Sequence, residues 1–569
     1  MRARAIDFGS KALTRRGRWL AVLVAVSVAF AGQLMPETTK GATLVDVPEF
    51  AVVATCNPAA KVDQTPRFLA WLKAHDDPGT TIRFKAGGCY WMNNVVDILD
   101  LHDLTFDGNG ATFKTYSAGY DMLPSDQRLN RVWPRLRSMW RFEGGYNLVL
   151  KNMTILGSNG GPNAGIDPRN GQPFRWDYYC PDVDQPDTFC MEGQAGVTLF
   201  GVNHENKGQW GAKVENVTVK YVFGDSINLH GWGDHMPNRK IEVRNSTFER
   251  AGRIGVVPQV VNGALFENNI INTPRRSMTV IEPWAPNQGS FNVTFDRNRF
   301  IDEDDPTDTK TGHAYMFANG GNTDARVENI TYSNNTLLNQ QVTTYINLGP
   351  QLSRRHTSRK NIKIINNTSN ITVGSPFPDQ APIRAAGIIG LEVRGNSQPI
   401  QPNQRNFGVS VYGAGDGPSS GIVVKDNHFA NALGALYTDP AIPTATVCNN
   451  RVGLDRAVDR ACPVVPTVRN APPTIVVPRA GATISGNTMV SAAAPTWARR
   501  VEYLISGRPF FYLAPLGNAT ETRYGWVYAW GSQKIPDGTY WLKARAYDPL
   551  GNHVDGPQIE VQVRNTLGG

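Results

Sequence analysis

Between Phe223 and Trp284 this 569-residue chain concentrates the residue types that perform acid, base and cation chemistry. It reads Gly224-Asp225-Ser226-Ile227-Asn228-Leu229-His230-Gly231-Trp232-Gly233-Asp234-His235, then Glu249-Arg250-Ala251-Gly252-Arg253, then Arg275-Arg276 and Ile281-Glu282-Pro283-Trp284. Two carboxylates flanking a cleft carry out the acid and base steps of glycoside hydrolysis, and their separation decides between inversion and retention. Asp225, Asp234, Glu249 and Glu282 are the candidate carboxylates of this stretch. Arginine beside a carboxylate serves a second route: a base removes the proton next to a uronate carboxylate while a cation or calcium offsets the charge. Arg253 and Arg276 are the candidates for that role. The catalytic candidates are therefore Asp225, Glu282, Glu249, Arg253, Arg276 and His230. Trp232, Asp234, His235, Gln259 and Trp284 are candidates for holding substrate, as is Trp176 from an aromatic insert between Gly157 and Gly196.

Plainer readings compete for the same residues. Asp225 after Gly224 also suits a turn. Glu249 with Arg250, Arg253 or Arg276 also suits exposed ion pairs, which contribute little energy and no chemistry. His230 and His235 also suit an ordinary surface, although Trp232 between them in a glycine-rich loop points to a sugar site.

What must position these residues is a recurring register: apolar, polar, apolar, then a polar pair rich in Asn. It appears as Ile241-Glu242-Val243-Arg244-Asn245, Leu265-Phe266-Glu267-Asn268-Asn269, Val293-Thr294-Phe295-Asp296-Arg297-Asn298, Ile330-Thr331-Tyr332-Ser333-Asn334-Asn335, Ile362-Lys363-Ile364-Ile365-Asn366-Asn367, Leu391-Glu392-Val393 and Ile422-Val423-Val424-Lys425-Asp426-Asn427. From Val217 to Ile422 successive copies start 24, 24, 28, 37, 32, 29 and 31 residues apart. Alternation with period two makes each copy a strand with one face inward, and the spacing leaves room for three short strands and their turns. Such units bury their apolar face only by stacking on each other, so the pattern predicts a parallel β-helix. Asn after the strand tolerates left-handed backbone, and stacked copies predict an amide ladder. An antiparallel sandwich of Asn-rich hairpins is the competing architecture.

The chain resembles the right-handed parallel β-helix proteins of the pectin-lyase-like superfamily over residues 45–463. The resemblance includes its entry: Thr65-Pro66-Arg67-Phe68-Leu69-Ala70-Trp71-Leu72 as a short amphipathic helix, followed by Thr81-Ile82-Arg83-Phe84, Gly87-Gly88-Cys89-Tyr90 and Leu104-Thr105-Phe106-Asp107-Gly108-Asn109-Gly110-Ala111-Thr112-Phe113. It implies that the helix caps the N-terminal end of the solenoid, where an open coil would expose strand edges. It implies no single reaction, since the superfamily spans lyases, hydrolases, esterases, epimerases and non-catalytic adhesins. Neither the paired aspartates and Gly-His-Gly of polygalacturonases nor the arginine pattern of pectate lyases stands intact. Aligning the repeats sets Asp225, Glu249 and the 272–276 stretch at one corner, and His230, Gln259, Glu282, Asn319 and Asn347 along a second row.

Arg15, Arg16 and Arg18 precede an apolar run from Trp19 to Ala31, read as a secretory signal over residues 1–31. Export favours disulfides for the six cysteines, in the local pairs Cys56 with Cys89, Cys180 with Cys190, and Cys448 with Cys462. The net charge of +8 falls to +3 once residues 1–31 are removed, because they carry five Arg and one Lys against one Asp. That balance gives no support to a nucleic-acid partner. The Asp-rich segment from Asp302 to Asp308 offers oxygen ligands for calcium but lacks the spacing of a defined calcium loop, so a solvated loop is the plainer reading and no cofactor is required.

After the Pro-rich linker at 464–473, residues 474–565 alternate as strands between turns and resemble the immunoglobulin-like β-sandwiches of secreted bacterial proteins. Trp526, Trp530 and Trp541 fit either its core or a sugar platform. The expectation is an all-β, secreted or envelope-associated monomer with no membrane span after signal cleavage. Its solenoid groove would bind polysaccharide and hydrolyse it. A lyase or epimerase on uronate polymers is the first rival, and a non-catalytic glycan-binding surface protein the second.

Overall fold

The computed structural model describes residues 43–48, 61–115, 138–166, 171–173, 195–283, 285–302, 316–318, 325–338, 346–348, 359–370, 381–399, 407–413, 419–438, 442, 445–453, 457–458, 462, 472–495, 497–507, 510–522, 525–547 and 553–565. The signal segment, Trp176, Trp284, Asn319, Cys56, Cys180, Cys190 and residues 303–308 lie outside them.

The repeat copies do become strands, and they pair in parallel with the copies before and after. Ile241, Ala264's partner, begins a run in which Val243 faces Phe266, Phe266 faces Phe295, Phe295 faces Tyr332 and Tyr332 faces Ile364. Because equivalent positions meet, their side chains stack inside: the rings of Phe266 and Phe295 lie 4.8 Å apart, and those of Phe295 and Tyr332 5.0 Å apart. This is a right-handed parallel β-helix, the sense that parallel crossovers take.

The Asn pair at the end of each copy does two different things. Its first member sits outside in left-handed backbone, as at Asn245 (φ +51°) and Asn268 (φ +54°), where the Asn268 amide donates to Asn245 Oδ1 over 2.6 Å. Its second member turns inward. Asn269, Asn298, Asn335, Asn367, Asn396, Asn427 and Asn450 are buried, and each of the first six donates from Nδ2 to the Oδ1 of the next over 2.9–3.1 Å. Polar groups enclosed in this way must be paired, and the ladder pairs them coil by coil.

The third strand of each coil joins a separate sheet, here called the front sheet. It runs Val96–Leu99, Ser138–Glu143, Ala195–Phe200, Ile227–His230, Ile254–Pro258, Ser277–Ile281, Met316–Ala318, Ile346–Leu348, Ile383–Ala386, Val409–Tyr412 and Leu436–Thr438, all neighbours parallel. At the N-terminal end the helix Thr65–Leu72 turns Phe68 onto Phe84 and Trp140, with ring centroids 5.3 and 6.1 Å away. Near the last coil Cys448 and Cys462 form a disulfide, and Cys89 is also disulfide-bonded.

Residues 474–563 make two further sheets whose strands pair mainly antiparallel. They enclose a common core that includes Val490, Tyr503, Trp526, Trp530, Tyr540, Leu542 and Val561. Tyr503 ties one sheet to the other by donating to the Trp526 carbonyl over 2.6 Å. Trp526 and Trp530 are thus core residues, whereas Trp541 is exposed.

Candidate functional site

Along most coils the flank strands alternate buried and half-buried residues, as in Ala212–Lys220. The front sheet behaves differently. All four residues of Ile227–His230 and all five of Ile254–Pro258 and of Ser277–Ile281 are buried, those turned outward as well as those turned to the core. Ile227, Leu229, Val256 and Ile281 point into the solenoid core, which places Asn228, His230, Val257, Val280 and Glu282 on the outward face. Ile254, Val257 and Val280 form their own small apolar cluster there.

Charged groups are buried beside that cluster. Arg253, at the corner just before its strand, donates from Nη1 to Asp225 Oδ2 over 3.2 Å and from Nη2 to Glu282 Oε1 over 2.7 Å. The three belong to three consecutive coils, and none is more than 7% exposed. Asn228 donates from Nδ2 to the same Asp225 oxygen over 3.2 Å. Burying charge is tolerated where it is paired and hydrogen-bonded, and here one cation serves two anions.

His230 lies on the same outward face, one strand position beyond Leu229. Its Nδ1 accepts from the Gly231 amide over 2.8 Å. Burial holds its pKa down to about 4, so the ring is neutral at ordinary pH. Gln259 is buried at the matching position of the next coil, since Leu229 pairs with Pro258. The register of the following pair, Val256 with Thr279, carries the row on to Glu282.

The other sequence candidates fall elsewhere. Glu249 does not share a corner with Asp225: it pairs in register with Lys220 and Asn272 at the end of a flank strand, and its carboxylate meets Lys220 Nζ at 2.7 Å. The offset arises because Arg250, Ala251 and Gly252 turn the chain before Arg253 is reached, a turn that repeat alignment treats as part of the strand. Arg276 is half-buried and donates its backbone N–H to the Arg253 carbonyl over 2.8 Å. Asp234 and His235 are exposed, with Asp234 facing Arg326 at 3.7 Å. Trp232 is half exposed and Asn347 sits on the outward row farther along. Among the described residues no cluster of three or more His, Cys, Asp or Glu is placed to hold a metal ion.

Sequence reasoning missed one cluster. Asp97, Arg141, Thr198 and Asn228 face one another in succession across four front strands. Arg141 is 4% exposed, bonds Asp97 through both Nε and Nη2, and approaches Glu143 at 3.7 Å. Its signal in the sequence was the alternation within Ser138–Glu143, legible only once that strand's partners were known.

No protein-family model and no curated protein matches the chain. Among solved structures it is similar to the tailspike protein gp49 of the Acinetobacter baumannii bacteriophage Fri1, a capsular polysaccharide depolymerase, at 11% identity over 88% of this chain and 77% of that one (TM-score 0.38). It is similar to gene product 12 of bacteriophage phi29 at 14% identity over 69% of this chain and 50% of that one (TM-score 0.43), so it spans half that protein's length. It is also similar to the A-module of the Azotobacter vinelandii mannuronan C-5 epimerase AlgE4 at 12% identity over 68% and 96% (TM-score 0.36). The fold rests on the strand register. Likenesses this distant carry no argument about what the chain does.

Proposed function

We propose that this protein is a secreted carbohydrate-active enzyme that hydrolyses a polysaccharide on the outward face of the front sheet, with Asp225 and Glu282 as its acid and base. The observation that carries this reading is the buried Asp225–Arg253–Glu282 relay. Both carboxylates bond one guanidinium, through Nη1 and Nη2, so they share one site as two-carboxylate glycoside hydrolysis requires. Two-carboxylate hydrolysis needs one carboxyl of the pair protonated and the other ionised. One group then donates a proton to the leaving oxygen while the other, ionised, activates water or attacks the sugar directly. Arg253 holds the two in register.

The remaining outward residues suit binding. Asn228 and Gln259 offer amide groups, and the neutral His230 offers a ring N–H. A disulfide between Cys448 and Cys462 suits an oxidising compartment, and among the described residues no helix is long and apolar enough to cross a membrane. The C-terminal sandwich is read as an immunoglobulin-like accessory module.

The test is incubation of the protein with neutral and acidic polysaccharides, following new reducing ends together with the ultraviolet absorbance of unsaturated uronates. Reducing ends without absorbance are expected. Both signals together would replace hydrolysis by a lyase reaction, and retention on glycan with neither signal would leave a binder.

A further inference from the structure

One aromatic ring of the solenoid is held out to solvent by a backbone with little freedom. Trp232 is 50% exposed, whereas Trp91 and Trp140 of the same domain are 4% and 0% exposed. The loop that presents it is tightly packed on both sides. A Cβ at Gly231 would meet the Met236 carbonyl at 2.2 Å, and Gly233 has φ +110° with Asn287 at 2.8 Å from where its Cβ would stand. Asp234 N–H bonds the Asn287 carbonyl over 2.6 Å, and Met236 N–H bonds that of Gly233 over 3.0 Å. The indole meets Phe200 in a T-shaped contact, at 5.4 Å and 72°, and half of its surface stays in solvent. A half-exposed aromatic on a tightly packed loop is apolar surface left uncovered, and a flat ligand would supply the missing contact.

The same Phe200 also contacts His230, with centroids 5.4 Å apart. A backbone N–H can only donate, so the bond from Gly231 to Nδ1 fixes that nitrogen as acceptor and puts the proton of the neutral ring on Nε2. Burial keeps the ring uncharged. An apolar plate and a single N–H donor of fixed tautomer thus flank one phenylalanine, at the end of the row that leads through Gln259 toward Glu282. Sugar rings combine an apolar C–H face with hydroxyl oxygens that accept hydrogen bonds.

We propose that Trp232 and His230 form a sugar subsite, in which a pyranose ring of a glycan chain stacks on the Trp232 indole and one of its hydroxyl oxygens accepts from His230 Nε2. This subsite rests on the carbohydrate reading of the relay and assigns His230 to binding, as a donor, instead of to proton abstraction.

Affinity electrophoresis of the full chain tests it, in native gels containing xylan, mixed-linkage β-glucan, mannan, dextran, polygalacturonate or alginate. The variants are W232A, W232F, H230F and H230Q, each first checked for an unchanged melting temperature. The wild type is expected to be retarded by at least one polymer. W232A should weaken that retardation at least tenfold and W232F less than threefold. H230F should weaken it at least fivefold, with H230Q, which restores an N–H donor, recovering most of the loss. A wild type retarded by none of the polymers would overturn the carbohydrate reading and the subsite with it. Retardation of the wild type that W232A leaves intact would overturn the subsite alone, and H230F equal to the wild type would remove His230 from it.

Discussion

Asp225 and Glu282 lie two coils apart, yet both are bound by one side chain: Arg253 reaches Asp225 Oδ2 at 3.2 Å and Glu282 Oε1 at 2.7 Å. Direct neighbours on a β-helix stand only about 4.8 Å apart along the axis, which is too close for a pair that must admit a sugar and a water. Placing the cation on the middle coil separates the carboxylates while fixing both.

Removing that cation alone should be costly. Arg253→Met removes the cation that both buried carboxylates share, and loss of about 3–5 kcal/mol is expected, read from chemical denaturation followed by intrinsic fluorescence. Replacing all three relay residues by apolar ones should recover most of that stability while abolishing activity. A single variant as stable as the wild type would show that the relay is not buried as described.

Glu282→Gln keeps the shape of the side chain and a hydrogen-bonding partner for Arg253. Release of reducing ends should fall by about 10²–10⁴-fold, the contribution of a positioned acid or base, with the melting temperature shifted far less than in Arg253→Met. Turnover equal to the wild type would remove Glu282 from the mechanism.

His230 makes stability depend on pH in a known direction. Its native pKa is near 4 while its unfolded value is near 6.5, so between those values the unfolded chain binds a proton that the folded chain refuses. Its contribution is therefore fully present above pH 6.5 and is lost as pH falls toward 4, amounting to about 3 kcal/mol. Denaturation midpoints measured across this window should flatten in His230→Gln. An unaltered slope in that variant would assign the effect to other groups.

The two members of the Asn pair predict opposite tolerance. Asn335 is fully buried; its Oδ1 accepts from the Asn298 backbone and amide, and its Nδ2 donates to the Phe295 carbonyl and to Asn367. Asn335→Ala strands these partners, each at about 1–3 kcal/mol, and should destabilise the solenoid severely. Asn334 is exposed with φ +56°, a conformation that glycine takes freely, so Asn334→Gly should change stability by only about 0.5 kcal/mol. Comparable losses in both variants would contradict the separate roles.

Much of the solenoid was legible in the chain because its causes are local. Alternation of apolar and polar residues sets which face of a strand turns inward, and Asn at its end allows the left-handed turn. Ile241-Glu242-Val243, Val293-Thr294-Phe295 and their copies therefore announce both the coil and its repeat. Two ladders in place of one were not legible, since nothing in the dipeptide Asn334-Asn335 says that one amide faces solvent and the next the core.

The site was legible as a density of candidates and illegible as an arrangement. The sequence by itself supplied Asp225, Arg253 and Glu282 as chemistry, and it fixed the strand pattern that carries them. Only the tertiary structure decided that Arg253 joins the other two, that Glu249 turns instead to Lys220, and that Asp97 and Arg141 lie on the same outward row as Asn228. The physical reason is that stacking sets contacts between coils position by position, while the chain between strands varies from one coil to the next. Local periodicity fixes the face on which a side chain stands, and the length of each turn, which periodicity does not encode, fixes its neighbours.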